Sequence, residues 1–169
     1  GFNRLLGLGV HEIQVGILKR LRGAPIFRHT NDFAMVFRDV PPYDILMNDL
    51  IEFEDMQRMK RFSRYLDMVF NSGNFQDTAP LVLEVSNPFK GFMAFSDWLF
   101  KKIKRTSHIA QNNLAQLLFE YLENRGFDKA EVANCLFRDF AATGKRRIPA
   151  VVREFATDQV QISSQPSQR

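Results

Sequence analysis

One cysteine in the whole chain, Cys135, excludes an internal disulfide and any iron-sulfur or zinc site built on several of the chain's own thiolates. It reads as a small core residue. No unbroken apolar run approaches the roughly 18 residues that a membrane-spanning helix needs, so no membrane partner is expected. The opening GFNRLL lacks the apolar core of a signal peptide, which makes a cytoplasmic location the default. Gly1 stands first in place of a methionine, as in a processed or tagged protein and equally in a chain cut from something longer. Histidine is scarce as well: His11, His29 and His108 share neither a helical face nor a metal-ligand spacing. There is no glycine-rich phosphate loop and no nucleophile elbow, and no carboxylate pair sits where its protonation would be perturbed. Nor does one sign of charge dominate, with 23 basic residues against 19 acidic ones, a balance that speaks against nucleic acid as the main partner.

Phenylalanine is what the chain has in excess. Seventeen of them in 169 residues imply either a ring-rich core or a broad docking face, because each ring buries a large area. A chain of this length can bury about 70% of its unfolded surface and needs no covalent staple.

The best strand candidate is HEIQVGILK. Side chains alternate along a strand, so Ile13, Val15 and Ile17 fall on one side and Gln14, Gly16 and Leu18 on the other. The first set is fit to pack on helices. The second, with an amide, a bare backbone and a leucine, fits a strand lining an occupied interior, or a core strand in which Gly16 marks only a bulge. Before it, Phe2 to Leu8 reads as a helix end stopped by Gly7 and Gly9. A lone strand of this kind needs neighbours that the chain barely offers. Gly23, Pro25, Pro41 and Pro42 break residues 20–52 into an extended, wrapping connection, with one short strand at Phe33 to Phe37.

From Ile51 onward the apolar period becomes helical. Met56, Met59, Phe62, Leu66, Val69 and Phe70 form one stripe, ended by NSGNF at 71–75. In that turn Asn71 and Asn74 are either near a ligand or simply at home at a helix end. Arg58, Arg61 and Arg64 form a basic face for which the pairs Asp55–Arg58 and Arg64–Asp67 are the simpler account. A second helix starts at the N-cap Asn87 with Pro88 following and buries Phe89, Phe92, Met93, Leu99, Phe100 and Ile103. A third runs from about Ser107 to Asn124 and stops at Gly126. Asp128 and Glu131 open a fourth as a capping box, with Ala133, Leu136, Phe137 and Phe140 inward. Past the basic cluster Lys145, Arg146 and Arg147 the tail has too few apolar groups to order, from about residue 158.

Two stretches resemble a known family. HEIQVGILKRLRGAPI, residues 11–26, is similar to a late strand of a radical S-adenosylmethionine (radical SAM) α/β barrel and the turn after it. Many members write that turn Gly-Thr-Pro; here it is Gly23, Ala24 and Pro25. PPYDIL through MKRFSRYLDMVFNSGNF, with RDF at 138–140 and RRIP at 146–149, is similar to an uncharacterised helical domain that follows the barrel in radical SAM proteins with an N-terminal cobalamin-binding domain. The resemblance implies a parent enzyme with S-adenosylmethionine, an iron-sulfur 4Fe-4S cluster and cobalamin as cofactors, whose three-cysteine motif lies outside this chain. It implies Gln14, Gly16 and Leu18 as neighbours of the cofactor, and the rest of the barrel, in the same polypeptide, as partner.

The fold expected is mainly α: a strand remnant of the barrel in 1–26, a wrapping connection in 27–52, a helical accessory domain in 53–150, and a mostly disordered tail in 151–169. The fragment alone is not catalytic. The alternative is a free-standing basic helical interaction module that binds nucleic acid or an acidic protein.

Overall fold

The computed structural model describes residues 1–83, 86–144 and 148–157. The basic cluster Lys145, Arg146 and Arg147 and the tail from 158 lie outside the described residues. The chain is mainly α. Among the described residues it forms seven α-helices and one two-stranded ribbon.

Helix α1 (Phe2–Leu6) opens the chain. A 3-10 turn (Pro25–His29) follows the extended segment, and β1 (Val36–Phe37) pairs antiparallel with β2 (Ile45–Met47) across an irregularity in register. The expected strand at Phe33 to Phe37 is thus shorter, confined to its last two residues. Helix α2 (Phe53–Leu66) carries the first apolar stripe and widens at its end into a π turn, Asp67–Asn71. Gly73, at φ +68°, ends it as the NSGNF pattern predicts. A four-residue helix that the sequence reading did not anticipate, α3 (Ala79–Val82), comes next.

Helix α4 (Pro88–Ile103) begins as expected, with the Asn87 side chain accepting from the Lys90 N–H. Asn3 of α1 adds two bonds at the same helix start, to Asn87 and to the Phe89 N–H. Helix α5 (Gln111–Asn124) starts four residues later than the periodicity suggests. His108 there adopts φ +56°, a left-handed conformation that no helix can pass through. Gly126, at φ +87°, stops it. In α6 (Lys129–Ala142) Asp128 caps the Glu131 N–H and all four of the predicted inward residues are buried. Helix α7 (Ala150–Phe155) packs back on α6 and buries Val152, so ordered structure continues past the boundary drawn at residue 150.

One line of rings connects these helices. Phe62 of α2, fully buried, meets Phe2 of α1 and Phe89 and Phe92 of α4 at centroid distances of 5.1–5.2 Å. Phe92 passes the contact to Phe95, and Phe95 to Tyr121 of α5 at 5.1 Å. Three of these contacts, Phe2–Phe62, Phe62–Phe92 and Phe95–Tyr121, are edge-to-face, a geometry that adds about 0.5–1.5 kcal/mol each beyond the buried area. Beside them Arg58 of α2 grips Asp97 of α4 through Nε and Nη2, the latter at 2.8 Å, and reaches Asp55 at 2.9 Å. Those two carboxylates hold the guanidinium proton more tightly than usual. The Asp55–Arg58 pair is as the sequence suggests. Arg64–Asp67 does not form, because Asp67 accepts from Asn71 Nδ2 at 2.8 Å instead.

Two buried polar groups tie the outer helices down. The Tyr65 hydroxyl donates to the Arg105 carbonyl at 2.9 Å. Burial pushes its pKa up to about 12. Asp139 of α6 accepts from the N–H groups of Asp77 and Thr78 and, at 2.6 Å, from the Thr78 hydroxyl. Burial raises its carboxyl above the usual range, and the three donated bonds pull the other way. Asp139→Ala should cost on the order of 3 kcal/mol by leaving those donors buried and unmatched, read as a lowered urea midpoint. Removing the half-exposed Asp77 carboxylate, which pairs with Arg138, should cost under about 1 kcal/mol. Tyr65 titrates later folded than unfolded, so its contribution is present in full below about pH 10 and is lost as pH rises through about 12. A Tyr65→Phe chain should lack that alkaline component in unfolding measured against pH.

Candidate functional site

The strand candidate is extended, and it is almost unpaired. Residues 12–18 run without turn or bend, and their burial alternates as predicted: Ile13 is buried and Val15 and Ile17 half-buried, whereas Gln14, Gly16 and Leu18 are exposed. Pairing with the ribbon begins only at the end. The Ile45 N–H donates to Leu18 O and the Arg20 N–H to Tyr43 O, both at 2.8 Å, and Lys19 bridges Asp44.

Side chains of α2 and of the π turn that ends it satisfy the backbone along one edge. Asn71, at the end of the π turn, accepts from the Ile13 N–H at 3.0 Å and donates to the Ile13 carbonyl at 3.1 Å. Its amide thus copies the donor and acceptor of a neighbouring backbone. Ser63 Oγ donates to the Val15 carbonyl at 2.7 Å. Ile13 lies by residue 71, Val15 by residue 63, and Asp44, the partner of Lys19, by Lys60 at 2.5 Å. The segment therefore runs antiparallel to α2, as a strand runs against its covering helix in an α/β layer. Asn71, the last residue of the π turn, is a backbone clamp on Ile13. A local reading of NSGNF carries no sign of a partner 58 residues away.

The other edge is open. Backbone groups of successive residues in an extended chain face opposite edges, and among the described residues the N–H and C=O of Gln14 and Gly16 make no hydrogen bond. An added Cβ at Gly16 would meet nothing within 4 Å, so none of the described residues packs closely on that glycine. Gln14 Nε2 bonds the Glu12 carboxylate at 3.0 Å and lines a cavity of about 580 Å³ with Phe2, Met59, Phe62 and Phe89. Gln14, Gly16 and Leu18 thus share one solvent-facing side.

The turn after the segment is pinned. Gly23 takes φ +77° and Pro25 starts the 3-10 turn. Arg20 lies 5.5 Å from the ring centroids of both Phe27 and Phe37. Apolar exposure concentrates in the same part of the chain. Every exposed large hydrophobic among the described residues lies between Leu5 and Phe53, Leu50 at 83% and Leu8 at 69% among them. The helices beyond hide theirs. Among the described residues no helix is long and apolar enough to cross a membrane.

A family model described as protein of unknown function (DUF4080) matches residues 31–167. The match takes in β1, β2 and all the helices from α2 on, and leaves the extended segment before it. No curated protein and no solved structure matches the chain.

Loss of the Asn71 clamp should loosen the segment without unfolding the bundle. In Asn71→Ala, hydrogen exchange at the Ile13 amide should quicken about tenfold, the worth of one hydrogen bond. The Gln14 and Gly16 amides should exchange fast even in the parent chain; strong protection there would mean that their edge is already paired.

Proposed function

Because this chain belongs to the DUF4080 family, we propose that it is the C-terminal accessory region of a radical SAM enzyme, cobalamin-dependent in the parent protein. The observation that carries the reading is the extended segment 12–18, with one face packed on helices and the other face and one backbone edge open. A strand in that state is a stave. Unpaired backbone groups on a flat, partly apolar edge are costly to leave in water, and addition of another strand is what satisfies them.

In this reading the missing strands belong to the radical SAM barrel in the same polypeptide. Gln14, Gly16 and Leu18 then face the barrel interior, where the bare backbone of Gly16 admits the adenosyl group of S-adenosylmethionine and Gln14 offers it an amide. The exposed apolar residues of the first third, Leu5 through Phe53, are covered by the same body. The iron-sulfur cluster and its three cysteines come from outside this chain, which has one cysteine. The helical domain closes the open side of the barrel and keeps water from the radical. The rival, a free-standing basic module for nucleic acid or an acidic protein, leaves the open edge and the apolar first third without a use, and it requires binding that falls steeply with salt.

The test is reconstitution of the full-length polypeptide with iron and sulfide without oxygen. It should show cluster absorbance and reductive cleavage of S-adenosylmethionine, neither of which this chain alone should give. A full-length protein without the cysteine triplet, or one that takes up no cluster, would overturn the reading. Removing residues 53–150 from the intact enzyme should raise unproductive cleavage of the cofactor.

A further inference from the structure

On the α2 side of the extended segment, away from its open edge, lies a cavity of about 460 Å³ between residues 15–19, α2 and Phe100. Four cationic side chains line it, Lys19, Lys60, Arg61 and Arg64, with Asp44 as the one carboxylate. Asp44 is ion-paired on both oxygens, with Lys60 Nζ 2.5 Å from its Oδ2 and Arg38 Nε 3.5 Å from its Oδ1, although Oδ1 accepts no hydrogen bond. Burial acts to raise its pKa, yet the Lys60 hydrogen bond and charge hold it below the usual range, so it stays ionised and spent on Lys60. Asp97, the other acidic group nearby, is engaged in the two-point grip of Arg58 and stands 3.9 Å from Arg61. Among the described residues Lys19 and Arg64 make no ion pair.

The cavity also holds buried donors without acceptors. Arg61, with its side chain 20% exposed, is held with its guanidinium 4.5 Å above the Phe100 ring, and its Nε–H has no hydrogen-bond partner. Gln57 Nε2, buried in the same wall, has none either. Burying such donors unmatched is costly, and a folded chain keeps that arrangement where an acceptor comes to meet it. Two cations without a carboxylate of their own, Lys19 and Arg64, and a third, Arg61, whose carboxylate stands off at 3.9 Å, suit an ion with two negative charges and several equivalent oxygens better than a single carboxylate. Arginine's fork suits phosphate in particular.

We propose that this cavity binds a phosphate dianion, free or on a small molecule, with Arg61 and Arg64 as its principal ligands, Gln57 donating from the wall and Lys19 closing the rim. The site is independent of the radical reading, because it lies on the helix-facing side of the segment and uses none of Gln14, Gly16 or Leu18.

The test is a titration of the whole chain with inorganic phosphate in chloride buffer, followed by nitrogen-15 NMR at the Arg61 Nε–H and the Gln57 side-chain amide. Both signals should shift and saturate together. Arg64→Gln, at an exposed position, should weaken binding at least about tenfold without touching the core. Arg61→Gln should do the same, and Arg125→Gln, at the exposed end of α5, should leave it unchanged. Glycerol phosphate in a parallel titration separates a free from an esterified ligand: whichever binds more tightly names the form, and either supports the site. No saturable shift with either probe would overturn the proposal, as would an equal loss in Arg125→Gln, which would mark a diffuse response to charge.

Discussion

The grip of one helix on one extended segment organises this molecule. Residues 12–18 bring a row of backbone donors and acceptors that, among the described residues, meets another strand only at Leu18, where Ile45 of β2 donates, and such groups must be matched or left wet. Asn71 and Ser63 match one edge from α2. That fixes which way the segment runs and which side chains point inward, and Ile13 then enters the main core with Phe62, Leu66 and Val69. A one-residue slip would swap every side chain to the other face, so the clamp sets register as well as position. The Asn71 amide that does this stands at the end of the widened turn Asp67–Asn71. π turns often sit where a helix serves a task beyond its own packing.

The two parts of the chain are stabilised differently. The helices from α2 onward, joined by Phe2 of α1, bury rings and leucines in a single cluster that runs from Phe2 through Phe62, Phe92 and Phe95 to Tyr121, and charged groups meet at close range. Before α2, a small second cluster of Phe37, Ile45 and Met56 is all that the ribbon buries, while Phe27, Phe33 and Leu50 face outward. The phenylalanine excess therefore serves both of the roles its number allows, a core in the helical part and an uncovered face in the first third.

What the sequence made legible was local. The Asn87–Pro88 start, the stops at Gly73 and Gly126 and the Asp128 cap each rest on residues within one turn of one another, and each stands where the pattern placed it. The period of two in residues 13–18 likewise foretold that Ile13, Val15 and Ile17 share the helix-facing side and that Gln14, Gly16 and Leu18 share the other, though not that the second side is exposed. What was not legible depends on partners far along the chain. Phe95 and Tyr65 fall outside the apolar stripes drawn on their helices yet are wholly buried, because α4 is enclosed by α2 and α5 together and Tyr65 finds the Arg105 carbonyl. Arg64 was assigned to Asp67 by spacing, but Asn71 competes for that carboxylate. The basic cavity draws on residues 15–19, on α2 and on Phe100, and no window along the sequence contains all three.

Helix α3 carries a consequence for the order in which the chain assembles. It has four residues, far too few to persist by its own propensity, and the N–H groups of Asp77 and Thr78 just before it are held by Asp139, 62 and 61 positions downstream. Loop closure over that span comes late compared with a helical turn. The connection between α2 and α4 can therefore take its final shape only after α6 has docked, which makes Thr78 a reporter of completed folding and leaves a partly synthesised chain without that latch.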